Sequence, residues 1–449
     1  MARLFPLGML LGSEFRDTSK NIRQTERLNY EQLQNICHDR LRNVLQKAGR
    51  DVPYYQSLFK QHGLDTEAAD IAAEIAKLPL LTKNRVRATG LEAFTSERYT
   101  PEDLIEDYTG GTTGAEPMRM LLDRGVTHQR EQAFIYHMFH RVDIEFGDPH
   151  VQIKIDSPRG WKYFEPLANK LLLSQGLMDE TTLEDYIDEI ESFQPKYLNA
   201  LASTAHKLVQ LLDNAGRELK VNLRAVLLGS EMIYAHQRAA IEQKLNTRVY
   251  SWYGHVERLI LAGEGRNDSS VYYAFPQYGF TEIVDEDGHR ITEPDVVGQL
   301  VGTGFNNDGM PLIRYATGDY GAWADRSQHH ELPYPAIHKI DGREQEFVHS
   351  DDGRTFSLVP ILFQMHNEFW GSLEDIQFVQ PATGILIANV VPAPHMNPEQ
   401  VAKLVKKSLT PNINPSIQFS VAIIDRDAIV VTRRGKKRLL IHENPVTST

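Results

Sequence analysis

The stretch Ala225-Val226-Leu227-Leu228-Gly229-Ser230-Glu231, followed by Ala235 to Leu245 and by Arg248-Val249-Tyr250-Ser251-Trp252-Tyr253-Gly254-His255-Val256-Glu257, decides the fold. Four consecutive apolar residues stopped by a glycine read as a buried strand, and Ala235 to Leu245 reads as a helix. Arg248 to Trp252 is a second strand, so the piece is a βαβ unit and the chain is of the α/β class. Open α/β sheets bind ligands beyond the carboxyl ends of their strands. Gly229-Ser230-Glu231 and Tyr253 to Glu257 both fall there, which marks Glu257 above an ordinary surface glutamate.

Upstream, Leu104-Ile105-Glu106-Asp107 leads into Tyr108-Thr109-Gly110-Gly111-Thr112-Thr113-Gly114-Ala115-Glu116-Pro117. Glycines permit positive φ and close backbone approach, and hydroxyls with loop N–H groups can converge on an anion. The stretch is readable as a surface turn or as a phosphate nest. It is not a Walker A loop, since no Gly-Lys-Ser/Thr follows. Met118 to Leu122 reads as a strand and Thr127 to Phe139 as a helix. Val151 to Ile155 and Pro195 to Ala200 read as strands, Leu183 to Phe193 and Ala205 to Ala215 as helices. Before the glycine–threonine stretch lie a helix from Leu28 to Ala48 with Asn29 as its cap, a shorter one holding Leu58 and Phe59, and one from Ala68 to Lys77. The Leu78 to Lys83 segment carries no assigned chemistry.

Downstream the pattern turns to strands: a hairpin at Asp287-Gly288, a strand Gly298 to Thr303, and Met310 to Tyr315 ending at Ala316-Thr317-Gly318-Asp319. An aspartate after a glycine turn is either a self-bonded turn residue or an acceptor for a ribose diol. Ile340-Asp341-Gly342-Arg343 is the candidate domain boundary. Beyond it, strands near Asp375 to Val379, Gly384 to Val391 and Ile417 to Ile424, with a helix Pro398 to Leu409, make an α+β domain ending in Arg433-Arg434-Gly435-Lys436-Lys437-Arg438.

At 449 residues the chain is long enough for two or three domains. Hydrophobic content of 41% and charged content of 24% are those of an ordinary globular protein. A net charge of −12 disfavours nucleic acid and anionic membranes as partners. The single cysteine, Cys37, excludes an intramolecular disulfide and a multi-cysteine zinc site and fits a cytoplasmic location. Leu4 to Leu11 is apolar but falls short of a span of about 20 residues, and no convincing signal-peptide cleavage pattern accompanies it.

Taken in order, these motifs resemble the adenylate-forming superfamily of acyl-CoA synthetases and adenylation domains, in its phenylacetate–CoA ligase and CapK-like branch. Gly111-Thr112-Thr113-Gly114 is similar to the family's phosphate loop, and Tyr253-Gly254-His255-Val256-Glu257 to its Tyr-Gly-x-x-Glu motif. Pro311 to Tyr315 with Thr317-Gly318-Asp319 resembles its ribose motif, Gly342-Arg343 its hinge motif, and Gly435-Lys436 its catalytic lysine motif. The resemblance implies a large adenylating domain over 1–342, with a β-rich subdomain from about 272, and a small mobile α+β lid over 343–449.

It further implies that ATP activates a carboxylic acid as an acyl-adenylate with loss of pyrophosphate. Transfer follows to an acceptor: CoA is favoured, with an amine or a carrier-protein thiol as alternatives. Glu257 would hold Mg²⁺; Lys436 and Thr112 are the other catalytic candidates. ATP or AMP would be bound by Thr109, Gly110, Gly111, Thr112, Thr113, Gly114, Ser230, Glu231, Tyr253, Gly254, His255, Asp319, Arg343 and Lys436. Gly229, Asn199, Ala200 and Trp252 are acyl-pocket candidates. Departures from the pattern are Ala115-Glu116 where a loop lysine is common, with Glu116 expected to point outward, and Val256 in place of a hydroxyl residue. Lys437 is the fallback lysine. His255 is expected to line the pocket rather than act as a base, and His329-His330 to be a loop pair. A reduced nucleotide- or acyl-binding protein is the alternative, a structural or docking protein a third reading, and an oligomer is left open.

Overall fold

The computed structural model describes residues 7–109, 118–154, 160–231 and 233–338, then 342–343, 347–352, 354–363, 365, 367–394, 396–431 and 439–443. It separates into two compact units, one built from Met1–Gly110, Pro117–Ile233 and Gln237–Ile340, the other chiefly from Asp341–Thr449. The class is α/β, as the βαβ unit requires.

The chain opens with α1 (Leu7–Thr25), α2 (Tyr30–Asp51), α3 (Pro53–His62), α4 (Ile71–Ile75), α5 (Lys83–Thr89) and α6 (Leu91–Phe94). β1 (Leu104–Tyr108) and β2 (Arg119–Asp123) form an antiparallel pair, followed by α7 (Thr127–Phe139). Next come β3 (His150–Lys154), β4 (Lys162–Glu165), β5 (Lys170–Ser174), α8 (Leu183–Phe193), β6 (Tyr197–Ala200) and α9 (Ala202–Asn214). The βαβ unit is β7 (Ala225–Leu228), α10 (Ala235–Leu245) and β8 (Arg248–Gly254). Then follow β9 (Leu261–Gly263), β10 (Val271–Ala274), β11 (Gly279–Val284), β12 (Val297–Gly304), β13 (Tyr315–Ala322) and β14 (Ala336–His338).

Nine strands make one sheet in the order β14-β10-β9-β8-β7-β6-β3-β5-β4. From β8 to β5 all pairings are parallel. The strands are covered on both faces, and β7 shows why four apolar residues run together there. Val226 and Leu228 join a core with α8 and α9, whereas Ala225 and Leu227 join the opposite core with α1 and α7. Successive side chains of a strand point to opposite faces, so a strand covered twice cannot alternate with polar residues.

A smaller antiparallel sheet, β11-β12-β13, packs with α2, α3 and α4 around Leu41, Tyr55, Ile75, Ile283 and Leu300. α2 begins where Asn29 caps it, in a capping box with Gln32. Pro53 ends that helix by opening α3 at its first turn, where its missing N–H costs nothing.

The second unit contains β15 (Gly342–Arg343), β16 (Phe347–His349), β17 (Thr355–Ser357), α11 (Leu358–Phe363), α12 (Asn367–Gly371), β18 (Leu373–Ala382), β19 (Ile385–Pro392), α13 (Pro398–Leu409), β20 (Gln418–Ile423) and β21 (Leu440–His442). Its four-stranded sheet runs β20-β19-β18-β21. α13 buries Val401, Val405 and Leu409, one face at a spacing of four, and Asn397 caps it.

Four expectations change. Met310 to Tyr315 is not a strand: residues 310–314 are irregular and β13 begins at Tyr315. The segment from Leu7 forms a helix of 19 residues, kinked at Gly12, where the sequence suggests only a short apolar run. Ala68 to Lys77 narrows to α4. Thr317-Gly318-Asp319 does not end a strand: it lies inside β13, whose register against β12 slips between Gln299 and Val301, with Gly318 at φ 79. That is a bulge, which turns a side chain without ending the pairing.

Candidate active site

The glycine–threonine stretch leaves the end of the β1–β2 pair, whose base is closed by Thr109. The Thr109 N–H donates to the Met118 carbonyl at 2.9 Å, and the Met118 N–H donates to the Thr109 hydroxyl at 2.9 Å. Thr109 is buried. Gly110, Gly111, Thr112, Thr113, Gly114 and Glu116 lie outside the described residues, as do Lys436 and Lys437.

Glu257 sits just past β8. Its chain is held down by glycines on the neighbouring sheet: a Cβ on Gly279 would stand 1.9 Å from the Leu259 carbonyl oxygen, and one on Gly302 2.7 Å from Leu259 Cβ. The Leu259–Ile260 segment therefore lies directly on β11 and β12, which only glycine allows. The Glu257 carboxylate then meets two donors. His255 Nδ1 is 3.2 Å from Oε2, and the Tyr315 hydroxyl donates to Oε1 at 3.3 Å. The Ile260 N–H donates to His255 Nε2 at 3.3 Å, which leaves the proton on Nδ1 and aims it at Glu257. Burial pushes the Glu257 carboxyl up, but the His255 hydrogen bond, a backbone donor and Lys83 outweigh it, so it stays below the usual range. An ionised carboxylate with a lone pair left on each oxygen suits a hard divalent cation such as Mg²⁺.

Asp319 faces the same region from the bulge. Its Oδ2 accepts the Tyr253 hydroxyl at 2.8 Å, and its N–H donates to Thr317 Oγ1 at 3.1 Å. The Tyr253 and His255 rings lie 5.8 Å apart. Tyr253, Gly254, His255, Glu257 and Asp319 are thus brought together from β8 and β13. Two residues without assigned chemistry join them. Tyr315 touches Glu257 directly, and Leu81 pairs with β13 through its N–H to the Arg314 carbonyl and its carbonyl to the Ala316 N–H, both 2.9 Å. That pairing brings in α5, whose first residue is Lys83. The Leu78 to Lys83 segment was recognisable in the sequence, but nothing local indicated that it would pair beside Glu257.

The comparisons with known proteins follow the same lines. No family model matches the chain. Protein CapK of Staphylococcus aureus is 24% identical over 92% of this chain and 89% of its own. A phenylacetate-coenzyme A ligase of Thermus thermophilus is 22% identical over 66% of this chain and 67% of its own. A structure of 2-hydroxyisobutyryl-CoA ligase in the postadenylation state, in complex with 2-HIB-AMP, superposes with a TM-score of 0.68 at 15% identity, covering 90% of this chain and 88% of that one. The chain has the fold of the adenylate-forming ligases. The resemblance drawn from the ordered motifs is borne out.

Within this adenylate-forming fold, Gly229, Ser230, Glu231, Asn199, Ala200 and Trp252 lie along the carboxyl ends of the parallel strands. Glu231 Oε2 accepts from the N–H and hydroxyl of Ser203 at 3.0 and 2.8 Å, holding the first turn of α9. Ser230 takes a left-handed φ of 67. A Cβ on Gly229 would lie 2.9 Å from the Trp252 ring, and that ring packs edge-on to Phe139 at 5.3 Å. Asn199 and Ala200 end β6, with Ala200 in the core shared by α8 and α9. Arg343 lies on the short strand β15 of the second unit. His329 Nδ1 pairs with Asp268 at 2.8 Å, and Asp285, Asp287 and His289 form an exposed acidic turn. No helix among the described residues is long and apolar enough to cross a membrane.

Proposed function

We propose that the protein is an ATP-dependent ligase that activates a carboxylic acid as its acyl-adenylate. The observation that carries the reading is the pairing of Tyr253 with Asp319 beside the His255–Glu257–Tyr315 cluster. It gathers two motif carboxylates from distant strands at the carboxyl end of the sheet. A carboxylate oxygen of the acid attacks the α-phosphorus of ATP, the α–β bridging bond breaks, and pyrophosphate leaves. The acceptor then attacks the acyl carbonyl and AMP departs.

Phosphoryl chemistry of this kind needs alignment and charge neutralisation more than covalent help. Glu257 would hold Mg²⁺, which when bound offsets phosphate charge. Asp319, oriented by Tyr253, would accept the ribose hydroxyls, with Arg343 as a donor to ribose or phosphate. The positive charge of Lys83 favours the ionised Glu257 carboxylate, in a chain whose glycine–threonine stretch has Ala115-Glu116 in place of the common lysine. Thr112 and its neighbours would clamp the leaving pyrophosphate, and Lys436 would meet the carboxylate and α-phosphate from a lid formed by residues 343–449. Gly229, Ser230, Glu231, Asn199, Ala200 and Trp252 would border adenine and the acyl group. CoA is the favoured acceptor, an amine the next.

Exchange of labelled pyrophosphate into ATP across a panel of acids tests the first half-reaction. Acid-dependent exchange is expected; ATP binding without exchange for any acid would favour a reduced nucleotide-binding protein. Supplying CoA, amino acids and hydroxylamine separately then tests the acceptor. A CoA rate no higher than that with water removes CoA.

A further inference from the structure

We propose that Arg258 is a positioning residue for the metal–nucleotide complex: it locks the Glu257 turn to β1, the strand that runs into the glycine–threonine stretch. The proposal rests on the reading of Glu257 as the carboxylate that meets Mg²⁺.

Arg258 follows Glu257 directly and takes φ 56, a left-handed conformation unusual for a long side chain. Such strain persists only where the surroundings over-determine it, and here they do. The Arg258 N–H donates to the His255 carbonyl at 3.0 Å, closing a turn with Val256 and Glu257 at its centre. The side chain folds back over that turn, with Nη1 donating to the Val256 carbonyl at 2.8 Å. Its other nitrogens reach two further elements. Nε donates to Glu131 Oε2 at 2.8 Å, and Nη2 to Asp107 Oδ2 at 3.0 Å. His128 Nε2 stands 3.3 Å from Nη2, and His128 and Glu131 share one face of α7. The guanidinium is buried.

Three segments far apart in sequence therefore meet on one rigid fork. Asp107 lies two residues before Thr109, which closes the base of the stretch that would hold phosphates. Fixing Asp107 and Glu257 to the same group sets the distance between the metal carboxylate and that base. The second consequence is electrostatic. Asp107 and Glu131 are two carboxylates close to a site meant for a polyanion, and the single charge of Arg258 offsets part of theirs. A lysine supplies one charge and no fork, so it cannot hold the turn, β1 and α7 together.

The test uses the full chain and two variants, Arg258→Lys and Asp107→Asn, and compares binding of Mn²⁺–ATP with binding of ATP in EDTA, alongside melting without nucleotide. Wild-type protein should bind the metal complex more tightly than ATP alone. In Arg258→Lys that advantage should shrink about tenfold, with metal-free ATP binding little changed even where the protein melts earlier. Asp107 is partly exposed, so Asp107→Asn should fold even if Arg258→Lys does not, and it should lower the same advantage about threefold. A variant that melts earlier but keeps the full metal advantage would reduce Arg258 to a structural ion pair. If the wild type itself shows no metal advantage, it is the Glu257 reading that fails; if the wild type shows it and both variants keep it in full, Arg258 alone is misassigned.

Discussion

The Tyr253 hydroxyl donates to Asp319 Oδ2 over 2.8 Å, joining the end of β8 to the bulge in β13. If Asp319 receives a ribose, this bond decides which lone pairs are presented to it. Replacing Tyr253 with Phe should raise KM for ATP about fivefold and leave kcat nearly constant, the loss of one orienting hydrogen bond. Initial rates of pyrophosphate exchange against ATP concentration measure it. An unchanged KM would detach Asp319 from the nucleotide.

The His255 donor keeps the Glu257 carboxyl low. A phenylalanine at position 255 removes that donor and favours the protonated acid, so the pKa of Glu257 rises. The acidic limb of the pH profile for metal-dependent exchange should therefore move to higher pH, with the plateau retained. A limb that stays in place would show that Glu257 does not govern it.

His150 offers a pH test independent of the site. Burial depresses it to about 4, although its Nδ1 donates to the Asp148 carbonyl and its ring stacks on Tyr197 at 4.5 Å. A histidine held below its unfolded value of 6.5 contributes stability above that pH and loses it as pH falls toward 4. The wild type should lose at most about 3 kcal/mol across that window relative to His150→Gln. Urea unfolding at several pH values between 4 and 7 measures the difference. Parallel curves for the two proteins would contradict it.

Gly279 is where the Glu257 segment meets the smaller sheet. A Cβ there collides with backbone, the Leu259 carbonyl oxygen at 1.9 Å, so no side chain can yield. Gly279→Ala should destabilise the chain by about 2 kcal/mol or more and displace Glu257, lowering exchange as well. Gly371→Ala meets nothing within 4 Å and serves as the control. Equal denaturation midpoints for the two variants would refute the packing argument.

Much of this was legible because it is local. The buried run Ala225 to Leu228, the Asn29 cap and the four-residue spacing of Val401, Val405 and Leu409 each announce an element without reference to the rest of the chain. The ordered motifs did the same for the family. What stayed hidden depends on pairing between distant segments. Thr317-Gly318-Asp319 reads as a turn until β12 shows it to be a bulge. Tyr315 meets Glu257 from β13, and the Leu81 pairing with that strand brings the start of α5 into the same region. Arg258 has no marked role along the chain, and its place becomes visible only with Asp107 and Glu131 around it.

The most direct measurement follows oxygen. With the acid's carboxyl group labelled by ¹⁸O, complete turnover in the presence of an acceptor should deliver one labelled oxygen to AMP, since the acid attacks the α-phosphorus and the acceptor later breaks the acyl–oxygen bond. The transfer should collapse in Glu257→Gln. Label in orthophosphate, with ADP as the nucleotide product, would mean attack on the γ-phosphorus and would contradict acyl-adenylate formation.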